Sequence, residues 1–171
     1  QIENLVNEFS DFARMPKPIL KDNDLIPLIK DNINLIKELD RSIEINFSSN
    51  ISKIILNSDS EQLSRVFFNL IKNSIESIQD KKLKNDSFKG KIDIDLIDKT
   101  SDISFVIVDN GLGFGAFTEK IKDILNPYFT TKEKGTGLGL AIVNKTINDH
   151  NGTIDFISIE DGAKIKITFI K

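Results

Sequence analysis

The chain has 171 residues, 23 Lys+Arg against 26 Asp+Glu, a net charge of -3 and 39% hydrophobic residues, which is about one domain with enough apolar surface for a core. The absence of cysteine excludes a disulfide scaffold, a thiolate metal site and a cysteine nucleophile, and the single histidine, His150, excludes a multi-histidine metal cluster. The near-balanced charge gives no electrostatic reason to expect nucleic acid, and no apolar run approaches the ~20 residues of a membrane span.

The sequence opens on Gln1 with no visible signal peptide, which reads as a piece of a longer protein. Residues 1–14 place Ile2, Leu5, Phe9 and Phe12 on one helical stripe, with Val6 and Ala13 beside them. Met15-Pro16-Lys17-Pro18 ends that helix, and its stripe calls for a partner helix rather than its own domain. A second helix is expected over 24–40, with Leu25, Leu28, Ile29, Ile36 and Leu39 inward and Asp22 or Asn23 as cap. Ile43, Ile45 and Phe47 alternate as a half-buried strand, and Lys53 to Leu56 reads as another short one. Asp59 and Ser60 start the longest helix, 60–79, with Leu63, Val66, Phe67, Leu70, Ile71, Ile75 and Ile78 inward. A polar loop, Lys81 to Gly90, leads to strands over Lys91–Ile97 and Ile103–Val108, the second nearly continuous in apolar residues and so central. Residues 110–136 are glycine-rich and irregular, with one short helix at 119–125; a helix follows at 138–149. Strands 153–159 and 163–170 close the chain around the turn Glu160-Asp161-Gly162. These elements imply an α+β fold: a two-layer α/β sandwich with one mixed sheet and helices on one face.

Six of the nine glycines fall between positions 111 and 139, in two groups. Asp109-Asn110-Gly111-Leu112-Gly113 follows the central strand, and Gly135-Thr136-Gly137-Leu138-Gly139 precedes a helix. Glycine admits close approach of a ligand to backbone, and a helix N-terminus behind a glycine loop favours an anion. Neither a P-loop nor the full dinucleotide fingerprint is present, because Leu140 stands at the third glycine of the latter. Asn69 and Asn73 lie one turn apart on the 60–79 helix, where amide oxygens can serve as hard neutral ligands for Mg²⁺. Asparagine is abundant throughout, so the pair carries weight only with the other segments.

Taken in order, the asparagine pair, Asp-x-Gly-x-Gly, Pro127-Tyr128-Phe129-Thr130-Thr131-Lys132 and Gly-Thr-Gly-Leu-Gly-Leu resemble the four boxes of the ATP-binding domain of sensor histidine kinases. These belong to the GHKL superfamily, with type II topoisomerase ATPase domains and ninety-kilodalton heat-shock chaperones. The stretch Asn69 to Ser77 resembles the N box, Asp109 to Gly113 the G1 box, Pro127 to Lys132 the F box and Gly135 to Leu140 the G2 box; the resemblance covers about 24–171. Glu8 to Pro18 resembles the end of the second dimerisation helix of membrane-bound nitrogen-regulation sensor kinases. On that basis residues 1–18 are the end of a dimerisation helix and its linker, and 19–171 the catalytic domain.

The resemblance implies these roles. Asp109 accepts the adenine amino hydrogen, and Gly111 and Gly113 let the loop pass the base. Asn73 binds Mg²⁺, with Asn69 close to the same ion or the phosphates. Gly135, Thr136, Gly137, Leu138, Gly139 and Leu140 form the phosphate cradle. Lys132, with Thr131, reaches the γ-phosphate, so Asn69 and Lys132 stand nearest the chemistry. Residues 114–136 form a lid, and Phe129 packs it or docks on the dimerisation helices. At position 69 the superfamily's hydrolases hold a glutamate that activates water; Asn69 cannot act as that base, which favours a kinase. The implied reaction moves the ATP γ-phosphoryl group to a histidine of a dimerisation domain outside this chain, since His150 reads as structural. Implied partners are that dimerisation domain and a response-regulator receiver domain. The parent is expected to be a membrane-anchored homodimer with this part cytoplasmic, and the fragment a monomer or weak dimer. Two other readings are an anti-sigma-type serine kinase and a non-catalytic nucleotide-binding interaction module.

Overall fold

The computed structural model describes residues 6, 7, 9, 10, 13–114 and 138–171. Strand β1 (Lys21–Asp24) leads directly into helix α1 (Leu25–Lys37). Strands β2 (Glu44–Ser49) and β3 (Ile55–Ser58) precede α2 (Ser60–Lys82). Then come β4 (Lys91–Asp98), β5 (Asp102–Asp109), α3 (Gly139–Asp149), β6 (Gly152–Ser158) and β7 (Ala163–Ile170). Five strands form one sheet in the order β2-β4-β5-β7-β6. β2 runs parallel to β4 and the remaining pairs are antiparallel, so the sheet is mixed, with β5 at its centre as its apolar run predicts.

Strand alternation decides which face is covered. Ile92, Ile94 and Leu96 of β4, Ile103, Phe105 and Ile107 of β5, and Ile165, Ile167 and Phe169 of β7 are buried on one side. The other side carries Asp93, Asp95, Lys164 and Lys166. The helices pack against the apolar side, with α2 between α1 and α3. All seven positions expected to face inward from α2 are buried, and Phe67 meets Phe105 with ring centroids 4.9 Å apart.

Several boundaries differ from expectation. β1 was not foreseen: Lys-Asp-Asn-Asp has no apolar alternation, and its strand exists through pairing with β3 and the bonds Asn23 Nδ2 donates to Ser58 O (2.7 Å) and Lys21 O (3.0 Å). Residues 22 and 23 are therefore strand, and the cap of α1 is Asp24, which accepts from Ile26 N (3.1 Å) and Ile54 N (3.1 Å). β1 and β3 form a separate two-stranded sheet, and β3 begins at Ile55, opposite Asp24, rather than at Lys53. α1 ends at Lys37, which leaves Leu39 outside the helix and exposed. α2 runs three residues past 79, so Lys81 lies in its last turn and not in a loop. Val6, Asn7, Phe9, Ser10 and Ala13 are helical, with Val6 and Phe9 exposed; Ile2, Leu5 and Phe12 lie outside the described residues, as does the short helix expected at 119–125.

Asp59 is the node that joins α2 to the segment before β1. One carboxylate oxygen accepts from Glu61 N and Gln62 N (both 3.1 Å), and the other from Ile19 N (2.9 Å). Partial burial works against its charge, but the Ile19, Gln62 and Glu61 amides outweigh it and hold the carboxyl below its ordinary value. A lowered folded value makes this a contribution that is present above the unfolded value of about 3.9 and lost as pH falls through the folded one. Asp59→Ala is expected to cost about 1–2 kcal/mol, read as a lower urea midpoint at neutral pH, with the gap to wild type narrowing below pH ~4.

His150 is buried at the end of α3, where Nδ1 lies 2.7 Å from Thr146 O and Nε2 accepts the Asp59 N–H at 3.0 Å. A carbonyl only accepts and an amide only donates, so the partners fix the tautomer: proton on Nδ1, lone pair on Nε2. Both ring nitrogens are thus used inside the fold, in keeping with a structural role.

Candidate functional site

Asp109 ends β5 and is paired in register with Ala163 of β7, so the sheet fixes its backbone. Its side chain is only 5% exposed. Burial pushes the carboxyl above its ordinary value, opposed by bonds from Gly111 N (2.9 Å), Ser74 and Ala163 N and by the charge of Lys81. A carboxylate offers about four acceptor sites. Among the described residues three donors reach it, an environment that also suits a ligand N–H.

The loop after Asp109 lies on one face of α2. Ser74, Ser77 and Lys81 follow the i, i+3, i+7 spacing that shares a face. Ser74 bonds Asp109, Ser77 Oγ accepts Leu112 N at 2.9 Å, and Lys81 Nζ donates to the carbonyls of Asn110 (2.8 Å) and Gly111 (3.2 Å). Gly111 is required by close approach: a Cβ there would meet Ser77 Oγ at 2.4 Å and the Ser77 carbonyl carbon at 2.9 Å. Gly113 has φ +70° and lies against Gly162, whose carbonyl oxygen would be 2.5 Å from a Cβ. None of Ser74, Ser77, Lys81 or Gly162 was singled out as a site residue from sequence. The signal that marks the two serines is their spacing among core positions Leu70, Ile71, Ile75 and Ile78; Lys81 and Gly162 carry none.

Asn69 and Asn73 are half-buried and one turn apart on α2, as their spacing requires. Asn69 and Gly139, the first residue of α3, line a common cavity of about 800 Å³, so the structure joins the asparagine helix to the start of the glycine-loop helix. The cavity continues past Arg14, Pro16 and Ile19 and does not reach Asp109. No side chain caps the start of α3 among the described residues; Leu138 is buried and Leu140 half-buried behind Gly139. Among the described residues no group of His, Asp or Glu could hold a metal ion. An octahedral cation that keeps waters and phosphates needs few protein ligands, and two amide oxygens one turn apart fit that need. Thr131, Lys132, Gly135, Thr136, Gly137 and Phe129 lie outside the described residues.

Comparison with known proteins agrees with this fold. Residues 58–171 match the family of histidine kinase-, DNA gyrase B- and HSP90-like ATPases. An NtrY-like sensor histidine kinase of Rickettsia prowazekii is 38% identical over 169 residues, 98% of this chain and 27% of that protein. The nitrogen regulation protein NtrY of Azorhizobium caulinodans is 34% identical over 171 residues, 98% of this chain and 21% of that protein. The chain thus spans about a quarter of these relatives. A nucleotide-free catalytic domain of the histidine kinase ThkA superposes with a TM-score of 0.77 at 28% identity, covering 89% of this chain and 97% of that one. No helix among the described residues is long and apolar enough to cross a membrane.

Proposed function

The chain belongs to the histidine kinase-, DNA gyrase B- and HSP90-like ATPase family, as an ATP-binding catalytic domain of the sensor histidine kinase kind, and from this we propose that it serves a longer two-component sensor by presenting ATP to a histidine of a dimerisation domain. The observation that carries the reading is Asp109: a buried carboxylate at the end of the central strand, held among the described residues by three donors against about four acceptor sites.

Adenine lies against the Gly111–Gly113 turn and gives its amino hydrogen to Asp109. Asn73, with Asn69 beside it, holds Mg²⁺, whose part when bound is to neutralise phosphate charge. Gly139 and the N-terminus of α3, with Gly135, Thr136, Gly137, Leu138 and Leu140, receive the phosphates. Lys132 and Thr131 reach the γ-phosphate. A histidine nitrogen attacks the γ-phosphorus, the bond to the β–γ bridging oxygen breaks, and ADP leaves. Asn69 has no basic group with which to activate water, so the site positions ATP for transfer rather than hydrolysis. The phosphoryl group then passes to a response-regulator receiver domain, and the parent is a membrane-anchored homodimer with this domain in the cytoplasm.

Two measurements test this. Calorimetry should detect ATP and ADP binding that strengthens with magnesium; the absence of heat at millimolar nucleotide removes the reading. Mixing the chain with the histidine-bearing dimerisation segment of its parent should transfer ³²P from γ-labelled ATP into an acid-labile, base-stable product. Binding without transfer, with the longer parent also inactive, favours the non-catalytic module instead.

A further inference from the structure

Lys81 lies in the last turn of α2, among polar residues that carry no apolar periodicity. Its ammonium donates to the carbonyls of Asn110 and Gly111 and pairs with the carboxylate of Asp161 in the β6–β7 turn. The Phe88 ring centroid is 4.5 Å from the same nitrogen. All three ammonium donors thus have acceptors, and an aromatic face shields the charge. This is unlike a surface ion pair, since the Lys81 side chain is 23% exposed against 69% for Asp161. Its two carbonyl partners are the residues directly after Asp109, and with Ser77 it fixes the loop from the α2 side.

We propose that Lys81 is a positioning residue for nucleotide recognition: it clamps the Asn110–Gly111 backbone and the Asp161 turn together, so that the Asp109 carboxylate is aimed at the amino group of adenine. The inference rests on the reading of Asp109 as the adenine acceptor. The clamp has an electrostatic side as well. Among the described residues the groups on Asp109 are the Gly111 and Ala163 amides, the Ser74 hydroxyl and the Lys81 charge, with Asp161 partly offsetting that charge from the β6–β7 turn. Lys81 opposes the burial that favours the protonated acid, and only the ionised carboxylate is purely an acceptor.

The test is calorimetry of the chain with ADP, and with the purine ribonucleoside diphosphate lacking the 6-amino group, between pH about 5 and 8. Lys81→Met keeps an unbranched apolar side chain but removes the ammonium from the loop carbonyls and from Phe88, and is expected to weaken ADP at least about tenfold, while changing the analogue much less. The acid limb of its ADP affinity, where Asp109 takes up a proton, should move to higher pH. Lys81→Arg should restore most of the affinity and the position of the limb. Asp161→Asn, in an exposed turn, keeps the ammonium but removes its counter-charge, and should move the limb to lower pH; it decides the matter if Lys81→Met does not fold. Equal losses for both nucleotides with an unmoved limb, or unchanged ADP affinity in Lys81→Met, would overturn the positioning role and leave the ATP-site reading standing. Failure of the wild-type chain to bind ADP at all would overturn both.

Discussion

Asp109→Asn should reduce ADP and ATP affinity by roughly 10- to 100-fold, because it removes a charge-assisted hydrogen bond that contributes about 1.5–3 kcal/mol. The substitution is nearly isosteric, and the effect has two parts. The amide keeps one acceptor oxygen where the carboxylate has two, yet the site presents Gly111 N, Ala163 N and Ser74 to that side chain before any ligand arrives. Its NH₂ group is also a donor, and it would face other donors or the adenine amino group itself. Calorimetry with ADP checks the result, with circular dichroism to confirm that the fold is kept. Equal affinity for wild type and variant would strip Asp109 of its role.

Asn73→Ala should remove the magnesium dependence of nucleotide binding. Losing even a residue that merely supports a metal ligand commonly costs ~10–100-fold in metal affinity, so the ligand itself should cost at least as much. Asn73 is half-buried between Ser74, which bonds Asp109, and Asn69, one turn back at the cavity shared with Gly139. It therefore sits between the proposed adenine acceptor and the cavity proposed for the phosphates. The check is the ratio of ATP affinities with magnesium and with chelator. Wild type should show a ratio well above one and the variant a ratio near one, with similar affinities in chelator. A variant that keeps the wild-type ratio would move the cation elsewhere.

The parts of this molecule that were legible in its sequence are those written in apolar spacing or in glycine. The buried stripe of α2 and the bounds of β7 follow from periodicity, because burial selects those side chains directly. Gly111 and Gly113 mark the loop after Asp109 because backbone passes close to Ser77 and Gly162 there, whereas Gly135 and Gly137 lie outside the described residues. The unforeseen parts are held by polar side chains and backbone, which leave no such period. β1 is four polar residues made into a strand by β3. The end of α2 looks like loop because Lys81 and Lys82 have no core to face, yet these lysines suit the negative end of the helix dipole. Gly162 reads as a hairpin turn and is also the wall behind Asp109: a Cβ there would lie 1.8 Å from the Asp109 carbonyl oxygen. That second role depends on which strands become neighbours.

The imidazole at the end of α3 gives the domain a mechanical linkage. α3 begins at Gly139, on the cavity it shares with Asn69, and ends eleven residues later on the ring that grips the Asp59 amide. The carboxylate of that same Asp59 holds Ile19, and Gln62 in the next turn holds the carbonyl of Pro16 at 3.0 Å. The helix that starts on the wall of that cavity is thus bolted, through Asp59, to the strap leading out toward the exposed Phe9 and Val6. Tilting that helix and pulling the strap load the same bolt.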